Sequence, residues 1–393
     1  MSIRKYYFLL IKSLFLIFLI LSQMTLIFSQ SIPINYYSYE YKKLLYDLGQ
    51  DWNTLTTFTP IRFQSDSQEE FTNSNSNIYA QGHIGISTSK YIKSLNGFGR
   101  FNYKNHYYAY LYPNLVNSLD QYYSSGIKTN FDDGQESYSG LGYENSWFLF
   151  QICRGQESWG AGSDINLALS QNSSNYDYLL LASDYGKVRV RYIHGFLETI
   201  RGNINRYITA RGFEWTNQKT FIVGFSETVI YSGKNRPIDI GYINPISSHL
   251  EIELNNRLNI IGESNSNAVW QVHIDYFFKE RFRLSGNYLF DEFVIDPNIE
   301  IGKEHGMAYS IRLAYTPIST ANHIITLYSS TVYIGTPTFR HGHGANNFVQ
   351  NGQPLGWNKG SDSQDIFTGM NYFNKNNLMI SCTVGLSKHG EEN

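Results

Sequence analysis

The chain has 393 residues, with 31 Lys and Arg against 33 Asp and Glu, and with 32 Tyr, 25 Phe and 32 Gly beside only 9 Pro. A near-neutral balance removes the usual reason to invoke nucleic acid, which a basic excess would mark. Abundant Tyr, Phe and Gly favour strands over helices.

In chain order, residues 1–30 come first. Arg4, Lys5 and Lys12 precede the apolar run Leu14 to Leu21, and a second apolar patch ends at Phe28-Ser29-Gln30. A basic start, a short apolar centre and small or polar residues at its end make a cleaved secretory signal peptide, with cleavage expected near Ser29 to Ser31. Lys12, Ser22 and Gln23 keep the run short of the roughly 20 apolar residues that a spanning helix needs. Removing the leader leaves 28 basic and 33 acidic residues. No long apolar run follows it, so membrane residence would have to be as a barrel.

Residues 31–77 form an N-terminal helical and loop arm. Tyr39 to Leu48 has apolar residues at helical spacing with Gly49 as its stop, and Gln64 to Asn77 is mostly Ser, Asn, Gln and Glu. From residue 78 to 393 the chain is strands and turns. Aromatic residues cluster at Phe98 to Tyr103 and His106 to Tyr112, as at a membrane interface.

Connections at Asp184–Lys187, Thr216–Lys219, Lys279–Arg281, Ser319–Asn322 and Asn374–Asn377 are short and polar. Those at Glu198–Arg206, Gly233–Leu250, Asp291–Glu304 and Ile334–Asp365 are longer. Alternation of short turns with long loops is the habit of a transmembrane barrel.

The clearest strand pair is Trp270 to Phe278 followed by Phe282 to Phe290. Trp270, Val272, Ile274, Tyr276 and Phe278 share one face, while Gln271, His273 and Asp275 share the other. Arg189, Arg191, His273, Asp275, Arg283 and Arg312 would be awkward in a dry core, but suit a lumen. The expected fold is therefore all-β, a transmembrane antiparallel barrel of roughly 16–18 strands with a short N-terminal helical element. Its terminal residues, Ser387 to Asn393, lack an aromatic strand end, which points to a truncated chain or a closing strand elsewhere. Cys153 and Cys382 read as two unrelated thiols.

Candidate chemistry lies mainly in the connections. Gly155 to Gly162 ends the strand that carries Arg154 and contains Glu157 and Trp159, a face on which a sugar ring could stack. Arg211 and Glu214, three apart on a strand, face opposite sides. Glu227 on the following strand is expected beside Arg211 in the lumen, with Tyr231 after it. A glycosidase pairing of Glu227 with Glu214 or Asp239 has no spacing to support it. Nucleophilic catalysis has no motif, so no enzyme activity, cofactor or metal is expected; His341 and His343 form at most two ligands. The segment from Phe348 to Ser363, with Asn351, Gln353, Trp357 and Asp362, has the amides, carboxylates and aromatic that bind carbohydrate hydroxyls.

Trp159-Gly-Ala-Gly162, Leu167-Ala-Leu-Ser170, Ala210-Arg-Gly-Phe-Glu-Trp215, Gly224-Phe-Ser-Glu227 with Tyr231, Tyr242-Ile-Asn-Pro245 and Asn351-Gly-Gln-Pro-Leu-Gly356 with Gly360-Ser-Asp362 together resemble the Wzi capsule assembly family. The match in order and spacing covers residues 145 to 365, with Ala161 where the family has proline. The resemblance implies an outer-membrane lectin of a diderm bacterium that holds capsular or other surface polysaccharide at the cell surface. It also implies contact with outer-membrane lipid and with capsule-export machinery, or with motility machinery as in relatives from gliding bacteria. A channel or transporter and a gliding or adhesion component are the alternatives. Positions compatible with sugar binding are Arg154, Glu157, Trp159, Arg211, Glu214, Glu227, Tyr231, Asn244, Asn351, Gln353, Trp357 and Asp362.

Overall fold

The structure is a computed structural model. It describes residues 45–49, 55–58 and 78–390, less 89–91, 105, 119–137, 172, 256, 258–265, 292–304, 321, 343 and 375–377. The expected leader at 1–30, and all of the 31–77 arm except 45–49 and 55–58, lie outside the described residues.

The strands are β1 (Ile78–Thr88), β2 (Ile92–Tyr103), β3 (Tyr107–Tyr112), β4 (Asn114–Ser118), β5 (Tyr138–Glu144) and β6 (Phe148–Gly155). Next come β7 (Tyr176–Asp184), β8 (Val188–Ile200), β9 (Ile204–Thr216), β10 (Phe221–Lys234), β11 (Ser266–Phe278) and β12 (Phe282–Phe290). The last are β13 (Met307–Ser319), β14 (His323–Ile334), β15 (Val349–Gln350), β16 (Gln353–Pro354), β17 (Ser363–Asn374) and β18 (Leu378–His389). Two short helices, α1 (Ile240–Ile243) and α2 (His249–Leu254), lie between β10 and β11.

Among the described residues sixteen strands form one antiparallel sheet, ordered β1-β2-β3-β5 and then in chain order to β14, followed by β17 and β18, with β4 beside β2; β15 and β16 make a separate two-strand ribbon. β3 and β4 both pair with β2, breaking at Pro113, which has no N–H to give to a ladder. Strands of 12 to 14 residues, such as β8 to β11, exceed the roughly 9–11 needed to cross a bilayer at a tilt. β18, which carries the non-aromatic terminal residues as far as His389, pairs in full with β17.

The polarity of the wall is inverted relative to a water-soluble sheet. On β11, Gln271, His273 and Asp275 are buried while Val272, Ile274 and Tyr276 are exposed. β12 repeats this with Arg283, Ser285 and Asn287 inside and Leu284 and Tyr288 outside; β13 does so with Ser310 and Arg312 inside and Ile311 and Leu313 outside. A sheet with polar inner and apolar outer faces is a transmembrane barrel wall. The pairing of Trp270 with Phe290 and of Phe278 with Phe282 is the register the alternation calls for.

At one end the connections are tight: 185–187, 217–220 and 279–281. Lys279 (φ 51°) and Glu280 (φ 56°) take the left-handed conformation that such turns demand, although neither is glycine. The expected long connection from Glu198 to Arg206 is instead a three-residue turn, 201–203, because β8 and β9 continue past the wall across an irregularity between Phe196 and Glu198.

Part of the lumen is occupied. The β6–β7 connection, residues 156–175, enters it and brings Trp159, Ile165, Leu167 and Leu169 into the main hydrophobic cluster with Ile193, Ile208 and Val269 of the wall. Residues 45–47 are helical and end at Gly49 (φ 65°), the stop expected from the sequence. Together with 55–58 they also reach the inner face: Tyr46 Oη donates to Asp275 at 2.6 Å, and Phe58 packs edge-on against Trp159 with centroids 5.0 Å apart.

Candidate functional site

Charged side chains inside the barrel come from facing elements and are matched in sign. Arg312 on β13 forks onto Asp47 at 2.6 and 2.9 Å and meets Asp164 at 2.9 Å. Arg283 on β12 pairs with Asp275 on β11 and lies over the Tyr46 ring. Arg191 on β8 binds Glu157 bidentately at 3.0 Å, and Arg189 reaches Glu214 at 3.2 Å. Such pairs are stable in a low-dielectric interior only when each charge keeps its partner. These groups therefore brace the inner segments against the wall.

Several expected site residues belong to this bracing. Glu157 also accepts from Trp159 Nε1 at 2.8 Å and Tyr178 Oη at 2.9 Å, and Glu214 accepts from the Thr57 N–H at 2.9 Å. Trp159 is 1% exposed, which corrects its expected role as an exposed stacking platform: its ring is part of the core. Trp357 is likewise buried, parallel to Phe367 with centroids 6.2 Å apart and donating to Asp365 at 2.7 Å. Arg154 is on the outer face, paired with Asp177 at 2.8 Å.

Arg211 and Glu227 are neighbours, as expected, with 3.3 Å between their charged groups. Their location differs from the expected lumen. On β9 Arg211 shares its face with the exposed Phe213 and Trp215, while Glu214 shares the opposite face with Ala210 and Ile208 of the core. Arg211 and Glu227 therefore lie on the outer side of the wall, where the β10–β11 connection covers them. Glu227 accepts from the His249 N–H at 3.0 Å and from Trp270 Nε1 at 3.0 Å. Tyr231 is stacked between Tyr207 and Tyr242, at 5.0 and 4.6 Å, under the same cover. Glu214 and Glu227 are thus on opposite sides of the sheet and cannot act on one bond.

The mouth at the long-connection end is roofed by residues 335–362. Its ribbon, β15 and β16, turns at Asn351 (φ 48°) and Gly352 (φ 76°), the two left-handed residues of a tight hairpin. Arg206 on β9 holds it by donating to the carbonyls of Ala345, Asn347 and Val349 at 2.6, 2.5 and 2.9 Å, and pairs with Glu198. The roof meets the plug where Trp357 N donates to Leu167 O and Ser170 N to Leu355 O. Gly356 makes that junction possible, since a Cβ there would overlap the Leu167 carbonyl.

The structure thus divides the twelve expected positions. Asn351 is exposed at the ribbon tip, and Gln353 and Asp362 are half-exposed in the same roof. Asn244 is exposed in the outer cover, its side-chain oxygen accepting the Ile246 N–H. The other eight are buried or lie on the outer wall. Sequence reasoning missed Arg206, Asp47 and Thr57, each of which has partners more than a hundred residues away; no local pattern marks these contacts. Among the described residues no group of three or more His, Cys, Asp or Glu could hold a metal ion. Cys153 is buried and Cys382 exposed, and both are free thiols.

No model of a known protein family matches the sequence, and no curated protein matches it significantly. Among solved structures, the chain is similar to Wzi of Escherichia coli, described as an outer-membrane protein involved in group 1 capsule assembly and a carbohydrate-binding β-barrel. The TM-score is 0.61 at 12% identity, over 92% of this chain and 86% of that one. OmpT, an outer membrane protein of Vibrio cholerae, in a loop-deletion form, aligns over 66% of this chain and 94% of its own at 8% identity, with a TM-score of 0.33. The NanC porin aligns over 76% and 98% at 10% identity, with a TM-score of 0.25. The last two scores are too low to bear on the fold. The sixteen-strand wall with apolar residues outside has the fold of the Wzi β-barrel.

Proposed function

We propose that this chain is an outer-membrane lectin that binds capsular or other surface polysaccharide at its loop end and holds it at the cell surface, without cleaving it. The observation that carries the reading is a Wzi-like wall whose lumen is occupied by a braced plug. A plug of this kind favours a barrel that presents a surface to a polymer over one that serves as a transport bore. The ribbon tip at Asn351, with Gln353 and Asp362 in the same roof, is the best-supplied contact region. Amides and a carboxylate there can share hydrogen bonds with sugar hydroxyls.

The test is binding of purified full-length protein in detergent to polysaccharide isolated from the producing strain. Asn351→Ala with Gln353→Ala should weaken binding about tenfold, the loss expected when one or two hydrogen bonds of about 0.5–1.5 kcal/mol are removed. Polymer length should be unchanged after incubation. Deleting the gene should release polymer into the medium at unchanged total synthesis; full retention in that strain would sink the reading.

A further inference from the structure

The connection from β10 to β11 folds back over the outside of the barrel instead of standing away from it. Its inner side is tied to the wall: Tyr192 Oη donates to the Tyr242 carbonyl at 2.7 Å, Asp239 N to Tyr231 Oη at 3.2 Å, and His249 N to Glu227. Arg236 pairs with Asp239 at 2.9 Å, and both are buried.

The polarity of this flap is the reverse of a water-facing loop. Arg236, Asp239 and His249 point inward and are buried, while Ile238, Ile240, Ile243, Ile246, Leu250 and Leu254 are exposed, Ile246 to 89%. From residue 236 to 250 no charged side chain faces outward. Among the described residues, exposed or half-exposed charges lie at its margins, at Lys234 on one side and at Glu251, Glu253 and Arg257 on the other. In water the Arg, Asp and His would be outside and the Ile and Leu inside. A contiguous exposed apolar patch with a polar rim marks an interaction surface.

We propose that this flap is a lipid-contact element, with its Ile and Leu side chains seated among acyl chains of the membrane leaflet at the long-connection end. The proposal rests on reading the wall as membrane-spanning. Continuity with that wall selects lipid as the occupant. Along the outer face of β9, Trp215 and Phe213 are exposed, and Arg211, Thr209 and Tyr207 follow beneath the flap. The flap covers the polar stretch of the face and restores an apolar exterior over it. Marginal Lys234, Glu251 and Arg257 are then at headgroup level, as in amphipathic interfacial segments.

The test uses the full chain with Cys382→Ser, leaving buried Cys153 in place. Ile246→Cys in the flap and, separately, Ile274→Cys on β11 are labelled with an environment-sensitive fluorophore. The protein is reconstituted in phosphatidylcholine vesicles, with or without nitroxide-bearing acyl chains. The label at 246 is expected to shift to the blue and to lose emission to nitroxides near the headgroups. Water-like, unquenched emission at 246 with quenching at 274 overturns the flap proposal and leaves the barrel standing. Absence of quenching at both positions overturns the barrel reading itself. Blue-shifted, unquenched emission at 246 that depends on protein density assigns the face to a second copy, and overturns lipid as the occupant.

Discussion

Asp47 and Arg312 show what a single pair contributes. Both are buried, and the guanidinium makes two parallel hydrogen bonds to the carboxylate. Asp47→Ala leaves Arg312 with Asp164 alone, and removing one member of a buried pair costs about 3–5 kcal/mol. Denaturant unfolding in detergent should show a loss of this size for Asp47→Ala. Arg154→Ala, which touches the exposed Asp177, should change stability by no more than about 1 kcal/mol. Equal losses for the two variants would mean that the lumen pairs do not brace the barrel.

The flap is the element whose response to acid can be worked out. Burial holds the His249 imidazole below its ordinary value, with nearby Glu253 raising it and Arg211 lowering it further. An imidazole depressed in the folded state is protonated first in the unfolded flap, so stability falls as pH drops below about 6.5 toward the folded value. Glu251 acts in the same direction: its hydrogen bond from Arg257 lowers its carboxyl, and that stabilisation is present above the ordinary carboxylate value and lost as pH falls through the folded one. Trp270 lies half-buried against Glu227 under the flap, and its emission, isolated by difference from Trp270→Phe, should change as acid loosens it. His249→Gln should remove the part of the change that begins below about 6.5. An identical profile in that variant would assign the transition elsewhere.

Strand existence and facing were legible at this same scale. The alternation from Trp270 to Phe278 predicted which side chains face out, and parity on β9 correctly separated Arg211 from Glu214. Parity alone did not say which face was lumen at that end. Arg211 and Glu227 looked like lumen charges because a charge on the outer wall is costly, and the flap that relieves that cost is a tertiary fact. Glu198 to Arg206 looked like a loop because it is polar, yet hydrogen bonding between β8 and β9 extends through it.

For the whole molecule, the barrel reading follows from composition and alternation, and the plug does not. Trp159 looked like an exposed platform because Gly-rich loops usually stand at a mouth; here the loop turns inward and its Trp becomes core. A plugged lumen predicts negligible steady conductance in planar bilayers. Stable conductance of a size comparable to open porins would remove the plugged lectin reading in favour of a channel.

The partnership of Asp47 with Arg312 spans 265 positions of sequence. Residues near the start of the chain must be held in place until a strand synthesised far later arrives to receive them. In the wall from β8 to β13, Arg312 has its mates on this early segment and on the β6–β7 connection, and Arg191 has its mate on that connection. A wall without these segments would leave Arg312 without Asp47 and Asp164 and Arg191 without Glu157, the kind of loss that costs several kcal/mol for a buried charge. Wall and contents are therefore coupled: the stability of the later strands depends on segments that precede them in the chain.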